Sequence, residues 1–394
     1  MSNPAWPLAV ALAATPFVVV LQNRTLAPIA LLGFAGVVLA GLRAGWRPAR
    51  PPGLVWPAVA LLGWAMVSAL WALEPGRALE TVLRLAAPLA LAVLAADALR
   101  RPPPSRLLPR AAALGLALGI AAALFDDLSG NALRAFVRGI AEPPATLAFG
   151  LKNAASVIAL LLPLAVFATA LARGARVALG LAGAVVALLL PGESAKLAVL
   201  AGLAAGVAAG LAPRATRLGL AGLAAVLILA LPWMLGAALP RDASGLPNSA
   251  AHRLLIWDFA AERIAERPMI GWGMDASRAV PGGAGRPDAA LREAFGLTSS
   301  AAAPWFANAQ LLPLHPHNLA LQVWLELGAI GAALMALLLA LVALTCRSPG
   351  ACGAFAAGLV IAMLSYGAWQ YWWVSGLLLA TVTAAALAPE RKPA

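Results

Sequence analysis

The stretch GAIGAALMALLLALVALT, residues 328–345, runs for 18 positions without a charged side chain or a proline. A helix needs roughly 20 predominantly apolar residues to cross a bilayer, so this stretch predicts a transmembrane span. The whole chain has the same character, since 62% of its 394 residues are hydrophobic, 11% are charged and the mean hydropathy is +0.87. A soluble domain carries about 25% charged residues. The composition therefore predicts an integral membrane protein.

Eleven further apolar stretches make the predicted fold all-α and polytopic, with about twelve transmembrane helices. The first has no basic n-region and no cleavage site, so we expect it to be retained. The predicted parts are residues 1–238 with helices 1–9, a large loop at 239–316, and residues 317–394 with helices 10–12. The spans are 4–22, 26–42, 54–72, 81–99, 111–125, 150–172, 174–190, 194–212, 217–238, 317–345, 351–365 and 370–388.

The net charge of +12 does not predict a nucleic-acid partner, because of how it is distributed. With the N-terminus in the cytoplasm, the cytoplasmic side carries 14 basic and two acidic residues, and the other side carries 14 of each. This is the positive-inside pattern. We therefore expect both termini in the cytoplasm and the large loop outside. Cys346 and Cys352 flank a cytoplasmic turn and are predicted to be packing residues.

The first half of the large loop predicts an amphipathic helix from about 249 to 266. Ser249 is a suitable N-cap, Leu254 and Trp257 begin an apolar stripe at helical spacing, and Pro268 follows the end. The stripe predicts that this helix lies on the membrane domain or at the interface. The second half is rich in Gly, Ala and Pro, so we expect it to be irregular and mobile.

All three histidines, His252, His315 and His317, lie in or beside this loop. Pro316 favours an extended residue before it and a helix start after it, which places His317 in a first helical turn near the outer face. A neutral imidazole with a pKa near 6.5 can accept a proton there. The helix N-terminus should also favour its uncharged form.

Asn318, Gln322 and Glu326 follow as a polar stripe on one helical face. Polar groups at that depth are costly unless they face the bundle interior or a wet cavity. Two interpretations stay open: His317 is a catalytic base, or it only bonds a carbonyl at a helix end while the stripe holds helices together. We expect Gly328 to let a neighbouring helix approach closely.

Basic side chains on the predicted outer side form a second group. They oppose the positive-inside bias and need another reason, such as a bound lipid-linked pyrophosphate. Arg binds phosphate oxygens bidentately and Lys supplies a point charge. Pairing with the outer acids is the alternative. The group comprises Arg77, Arg84, Arg134, Arg138, Lys152, Lys196, Arg253 and Arg267.

The sequence contains no Walker loop, no HExxH, no GxSxG and no acidic pair typical of a metal site. These absences argue against the common nucleotide-dependent enzymes, metal-dependent enzymes and serine hydrolases. We expect an enzyme with this sequence to work without a metal or another cofactor.

Four short motifs resemble the O-antigen ligase family. HNLALQVWLELG, residues 317–328, is similar to the family's signature of His, Asn and, ten residues later, Gly. RLLIWDFAAERIAERPMIGWG, residues 253–273, resembles its Arg-x-x-x-Trp helix ending in Pro-x-x-Gly-x-Gly. FGLKNAAS, residues 149–156, and GESAK, residues 192–196, resemble two further elements, with Lys196 near the place of the usual Arg.

The resemblance implies an inverting glycosyltransferase that moves a polysaccharide from undecaprenyl pyrophosphate to lipid A–core. Its partners would be these two substrates and membrane lipid, in a Gram-negative inner membrane with the active site facing the periplasm. His317 would be the general base, Arg253 would neutralise the leaving pyrophosphate, and the middle of the large loop would cover the substrates. The expected substrate-binding residues are Lys196, Lys152, Arg138, Arg267, His315, Asn318 and Gln322.

Three other functions stay open: an O-antigen polymerase, a protein O-oligosaccharyltransferase, and a non-enzymatic anion transporter. The single large loop and the modest length favour the ligase. A transporter should show paired helix breaks in two related halves, and the sequence shows no such repeat.

Overall fold

The computed structural model describes residues 3–100 and 106–388. Within these ranges the chain is helical and contains no β-strand, which confirms the all-α prediction. The described α-helices are α1 (Trp6–Leu21), α2 (Leu26–Arg43), α3 (Val55–Val67), α4 (Pro75–Ala98), α5 (Leu107–Leu128), α6 (Ala132–Arg138), α7 (Leu151–Val166), α8 (Arg173–Leu189), α9 (Glu193–Leu211), α10 (Pro213–Ala238), α11 (Asn248–Glu266), α12 (Ala289–Ala294), α13 (Ala303–Phe306), α14 (Leu319–Thr345), α15 (Pro349–Leu364) and α16 (Tyr371–Ala386).

A helix occupies each of the twelve predicted spans. Seven helical stretches of the described residues are long and apolar enough to cross a membrane by length and composition: α2 with the 3-10 turn before it (Asn23–Arg43), α4, α5, α7 with the 3-10 turn before it (Ala145–Val166), α9, α10 and α14. Four more, α1, α3, α15 and α16, are apolar but shorter. The chain is thus a multi-pass membrane protein, and the count of twelve spans stays a prediction.

Hydrogen bonds at the helix ends show that these ends form two groups, one at each end of the bundle. At one end of the bundle, Arg217 at the start of α10 donates to the Leu344 carbonyl at the end of α14, at 3.5 Å. The Trp46 indole, after α2, donates to Asp97 near the end of α4, at 3.1 Å. The starts of α7, α9, α14 and α16 meet at the opposite end, which we call the site end. This up-and-down order agrees with the predicted alternation of the spans.

Small residues allow the helices to pack closely. The most extensive contacts are between α10 and α14, α9 and α15, and α1 and α5. Gly115 and Gly119 of α5 lie directly against the backbone of α1, where an added Cβ would overlap Leu12 and Pro16. Such close approach gives helix association its dispersion energy in lipid, where the hydrophobic effect between helices is weak.

The large loop begins with α11, which packs against α14 and α10 as the apolar stripe predicted. Its Ile256, Phe259 and Ile264 join the same apolar core as the first turns of α14. The helix begins at Asn248, and its N-cap is Pro247, which makes no side-chain cap. The prediction of Ser249 as N-cap is therefore wrong by two positions.

The second half of the large loop, residues 267–316, is mostly turns with two short helices, α12 and α13, as its composition predicted. It nevertheless has its own small apolar core. Phe295 and Phe306 are fully buried, and they pack with Leu255 from the opposite face of α11. Contrary to the expectation of a mobile segment, this half is packed onto the helix that precedes it.

The helix α14 is kinked at Gly328, whose φ of 64° lies in the left-handed region. The segment that follows α11 crosses the helix at this kink. A kink frees backbone groups from the helix ladder, and here the crossing segment satisfies them. The bonds run from Trp272 N–H to the Leu325 carbonyl (2.9 Å), from Gly273 N–H to the Glu326 carbonyl (2.8 Å) and from Ala329 N–H to the Pro268 carbonyl (2.8 Å).

Three motif glycines are explained by this crossing. A Cβ at Gly328 would overlap the Met269 carbonyl group, and one at Gly271 would overlap the backbone of Glu326. Gly273 lies against the backbone of Ala72 in the same way. Gly328 therefore admits a turn of the loop, and the prediction that it admits a neighbouring helix is wrong.

Candidate active site

A short turn between α15 and α16 joins the helix starts at the site end. The Ser365 hydroxyl is hydrogen-bonded to the Ser194 hydroxyl in the first turn of α9. The Tyr366 hydroxyl donates to the Asn153 side chain in the first turn of α7, at 3.0 Å. The Ser365 carbonyl accepts from the His317 ring, just before α14. This turn therefore holds His317 in place against α7 and α9.

His317 lies outside the helix, so the prediction of a helix start at 317 is wrong by two residues. The helix begins at Leu319 because the Asn318 side chain caps it, accepting from Leu321 N–H at 3.0 Å. His317 itself has a φ of 56°. This left-handed conformation costs about 1–2 kcal/mol in a residue with a side chain, and strain of this kind often accompanies function.

The surroundings of the His317 ring fix its tautomer. Nδ1 lies 2.6 Å from the Ser365 carbonyl, which can only accept, so Nδ1 carries the proton. Nε2 then keeps its lone pair, and no described group is hydrogen-bonded to it. Burial lowers the pKa of His317, as do the charges of Arg253, His252 and Lys152, against the opposing effect of the Ser365 carbonyl. At neutral pH the ring is an uncharged base with Nε2 open.

His315 contacts both the backbone and the ring of His317. Its side chain is buried, its Nδ1 accepts the His317 backbone N–H at 3.2 Å, and the two ring centroids lie 4.2 Å apart. Burial lowers the pKa of His315 to about 3, assisted by the charges of His317 and Arg278. The ring is therefore uncharged, and its contacts position His317. The substrate-binding role predicted for His315 has no geometric support here.

Arg253 lies on α11, is half-buried, and makes no hydrogen bond or ion pair with any described residue. Trp257, one turn later on the same face, donates its indole N–H to the Pro316 carbonyl at 2.9 Å. The same helix face thus holds the loop that carries His317 and presents Arg253 beside it. Burial lowers the pKa of Arg253, and the neighbouring Tyr366 opposes this effect. Its guanidinium is free to bind an anion.

The two predicted lysines differ in their surroundings. Lys152, at the start of α7, lies over the Phe149 ring at 4.7 Å and makes no ion pair within the described residues. Lys196 pairs with Glu193 at 2.8 Å, on the outer face of α9. Lys152 therefore belongs with His317 and Arg253, and we call these three residues the cluster. Lys196 is instead paired with the carboxylate of Glu193.

Arg138 and Arg267 do not join the cluster. Arg138 is exposed and donates to the Leu21 carbonyl at the end of α1, at 2.7 Å. Arg267 is exposed and stacks over the Trp272 ring at 4.2 Å. The structure brings neither near His317, and we do not carry their predicted substrate-binding roles forward.

The polar stripe of α14 is a structural hub around Glu326, which is fully buried. Gln322 donates to Glu326 at 3.0 Å and accepts from Ala368 N–H at 2.7 Å, so both ends of its amide are occupied. The side-chain oxygen of Asn318 is occupied by the helix cap. The Gln322 contacts argue against substrate binding by that residue, whereas Asn318 keeps side-chain N–H groups that bond no described residue. The other donors to Glu326 are Asp275 N–H (2.7 Å), Ser277 N–H (3.4 Å), the Ser277 hydroxyl and the Trp369 indole (2.6 Å).

Local pairing accounts for three of the other predicted cations. Arg134 is completely buried, pairs with Asp126 at 2.5 Å and donates to the Leu147 carbonyl at 2.6 Å. Arg77 and Arg84 pair with glutamates of their own helix region, each at 2.5 Å. For these residues, the alternative of pairing with outer acids is correct.

Sequence reasoning missed the Ser365–Tyr366 turn. The Tyr366 side chain bonds Asn153, and its hydroxyl lies 2.9 Å from the Ser156 hydroxyl. Burial raises its pKa, so the phenol stays neutral. The available signal was the segment SYGAWQYWW, residues 365–373, which holds both tyrosines of the chain between two predicted spans.

The cluster of His317, Arg253 and Lys152 combines an open base with two cations that make no ion pair within the described residues, although the charge of Glu193 acts on Lys152. Among the described residues, no group of three or more His, Cys, Asp or Glu side chains is placed to hold a metal ion. The two cations are the groups that can bind an anion here. A site of this kind can bind a phosphate ester and accept the proton of a hydroxyl.

Residues 157–336 match the O-antigen ligase family model. The match contains Arg253 and His317 and begins five residues after Lys152. The resemblance seen in the motifs is confirmed, and the matched region contains both the loop helix and His317, which the structure brings together.

Two curated relatives from Rickettsia carry the name "Putative polysaccharide ligase". The protein from Rickettsia conorii is 37% identical over 139 residues, which is 32% of this chain and 29% of the relative. The protein from Rickettsia prowazekii is 33% identical over 153 residues, which is 36% of this chain and 34% of the relative. The chain therefore spans about a third of the length of the curated relatives that it matches.

Proposed function

We propose that this chain is an O-antigen ligase that transfers polysaccharide from undecaprenyl pyrophosphate to lipid A–core. One observation carries the proposal: Arg253, a half-buried guanidinium without a partner among the described residues, lies beside a histidine with an open Nε2. An unpaired charge in such a place is costly unless a ligand supplies the counter-ion. A diphosphate is such a ligand, and the similarity of residues 157–336 to the O-antigen ligase family supports a polysaccharide substrate.

The transfer needs a proton acceptor for the attacking hydroxyl. The acceptor sugar's hydroxyl gives its proton to His317 Nε2 as its oxygen bonds to the anomeric carbon of the donor. The Ser365 carbonyl keeps the Nδ1 proton in place and stabilises the imidazolium that forms. Because attack and departure occur on opposite faces, the anomeric configuration inverts.

The bond from the anomeric carbon to the phosphate oxygen breaks as the new bond forms, and its electron pair leaves with the diphosphate. Arg253 and Lys152 neutralise the charge that develops on that oxygen. The bound diphosphate also offsets the positive charges that lower the pKa of His317. Donor binding therefore makes His317 a stronger base than it is in the free protein.

We place the site end of the bundle, with the large loop of residues 239–316, in the periplasm, and both termini in the cytoplasm. The distribution of basic residues supports this orientation, because the end opposite the site carries the excess. A site at this level meets two lipid-borne substrates from the side, within the bilayer of the inner membrane. Twelve crossings satisfy both this orientation and the helix order.

The test is a reaction of the purified full-length protein with lipid-linked polysaccharide and rough lipopolysaccharide. We expect His317→Ala to lower turnover by about 10²- to 10⁴-fold, the range that a general base contributes. Trp56→Ala, at the opposite end of the bundle and 60% exposed, is the control and should keep the turnover of wild type. Turnover within about tenfold of wild type in a folded His317→Ala protein would rule out the base assignment.

The products of the same reaction distinguish the ligase from its relatives. A ladder of bands on the lipopolysaccharide supports the ligase. Longer lipid-linked chains without a ladder would contradict it and indicate a polymerase. The absence of any product from the folded wild-type protein would contradict both enzymes.

A further inference from the structure

The second half of the large loop forms an open cavity beside the candidate active site. Its volume is about 560 Å³, within the roughly 300–1,000 Å³ of small-ligand pockets. His252 directly precedes Arg253 on α11 and forms part of the cavity wall. Burial is the largest cause of the lowered pKa of His317, and the charge of His252 lowers it further. The other lining residues that matter here are Arg286, Trp305, Asn308, Gln310 and Pro313.

Backbone pairing fixes the walls of this cavity relative to each other. Two hydrogen bonds join the turn before Arg286 to the segment after Gln310. They run from Leu311 N–H to the Gly285 carbonyl and from Leu312 N–H to the Gly283 carbonyl, each at 2.8 Å. The shape of the cavity is therefore set by the fold, and a ligand meets a preformed surface.

The wall nearest the active site is attached to α11. His252 Nε2 lies 2.7 Å from the Gln310 carbonyl, so this nitrogen donates, and its ring packs edge-on against Phe306 with centroids 6.1 Å apart. Phe306 is fully buried in the small core of the loop. The cavity is thereby coupled to the helix that presents Arg253.

The side chains that line the cavity carry unused hydrogen-bonding groups. Arg286, Asn308 and Gln310 make no side-chain hydrogen bond or ion pair with any described residue. Trp305 lies among them with 47% of its surface exposed. Of the residues that line the cavity, all of them described, none is a carboxylate.

This combination fits a sugar. The flat face of an indole packs against the C–H face of a pyranose ring, while amide and guanidinium groups bond its hydroxyls. A lipid tail would leave those polar groups without partners, at a cost for each. Without a lining acid, the cavity also accepts negatively charged sugars.

We propose that this cavity is a carbohydrate subsite of the ligase, and the inference rests on the proposed ligase function. It holds sugar units next to the reacting end of one of the two substrates. Trp305 supplies the stacking surface, and Asn308 and Arg286 supply the hydrogen bonds. These residues bind remote sugars and do not touch the reacting atoms.

The experiment compares full-length Trp305→Ala with wild type in two measurements. Calorimetry gives the affinity for two probes, the polysaccharide released from its lipid and the core oligosaccharide released from lipid A. The ligation assay gives KM for each substrate and kcat. We expect at least about tenfold weaker binding of one probe, a similar rise in KM for the matching substrate, and kcat within about twofold. The probe that is affected identifies the donor or the acceptor.

Three further variants separate binding from folding. Trp305→Phe keeps an aromatic face and should restore most of the affinity. Asn308→Ala removes one exposed amide and should raise the same KM by a smaller factor. Trp56→Ala, at the opposite end of the bundle and 60% exposed, should change neither the affinity for the probes nor the KM values. All variants should unfold at the temperature of wild type.

Unchanged affinity for both probes in Trp305→Ala, or a fall in kcat with both KM values unchanged, would overturn the subsite. Its failure is distinguishable from failure of the ligase. If wild type binds a probe but joins no polysaccharide, the ligase proposal fails. If wild type ligates and Trp305→Ala binds and ligates equally well, the subsite fails.

Discussion

Two arginines at the site end of the bundle, Arg134 and Arg253, show opposite ways of placing a guanidinium away from water. Arg134 is completely buried and bonds Asp126, the Leu147 carbonyl and Asn131. Arg253 is half-buried and has no such partner among the described residues. A charge removed from water needs a compensating partner. The protein itself supplies that partner for Arg134, whereas a ligand must supply it for Arg253. This difference is the ground on which we propose a functional role for Arg253 and a structural one for Arg134.

The largest effect that we expect from this comparison is on stability. Arg134→Met leaves the Asp126 carboxylate buried without its counter-charge, which should cost about 3–5 kcal/mol of the free energy of unfolding. Thermal unfolding in detergent measures it. Arg253→Met should not lower the unfolding temperature. Restoring stability with the double variant Asp126→Leu, Arg134→Met would confirm that the loss comes from the stranded carboxylate, whereas a second loss would contradict this explanation.

An intermediate effect should follow from the kink in α14. Gly328→Ala places a Cβ against the Met269 carbonyl at a φ of 64°, so the crossing segment must shift. We expect the free energy of unfolding to fall by about 1–3 kcal/mol. The rate of ligation should fall as well, because α11 and the kinked helix α14 hold the two sides of the site. Both are measured on the purified protein.

Gly222→Ala on α10 is the matched control, since an added Cβ there meets open space. It should be neutral or slightly stabilising. Equal stability of the Gly328→Ala and Gly222→Ala proteins would contradict the crossing as the reason for Gly328.

The smallest effect is a shift in pH dependence. Ligation needs uncharged His317, so kcat/KM should be full above its lowered pKa and fall as the pH drops through it, at a value below the usual 6.5. Lys152→Gln removes one of the charges that lower this pKa, so the acid limb should move to higher pH. Lys196→Gln, whose charge is paired with Glu193, should leave it in place. A limb that moves in the opposite direction would contradict the electrostatic account.

Much of the fold could be predicted because bilayer crossing leaves a direct pattern in the sequence. A helix fills every predicted span, and the loop helix lies on α14 and α10 as its stripe indicated. The start of α14 was misplaced by two residues because Pro316 and Asn318 both signal a helix start. Only the side-chain cap by Asn318 decides between them.

The candidate site could be predicted in part. His317 and Arg253 were found from their motifs, and Lys152 from its position at a helix start. The partners of a charge depend on long-range packing that no local pattern shows, so the sequence did not separate Arg134 from Arg253. The same reason hid Tyr366, more than 200 residues from Asn153 in the chain, and the cavity beside Trp305.

The most direct test of the account is the affinity of the purified protein for undecaprenyl pyrophosphate, measured with wild type and Arg253→Ala. The account predicts about 10- to 100-fold weaker binding in Arg253→Ala, the value of charge-assisted bonds to a phosphate, with an unchanged unfolding temperature. Equal affinity in the two folded proteins would contradict the claim that the unpaired guanidinium of Arg253 awaits the diphosphate.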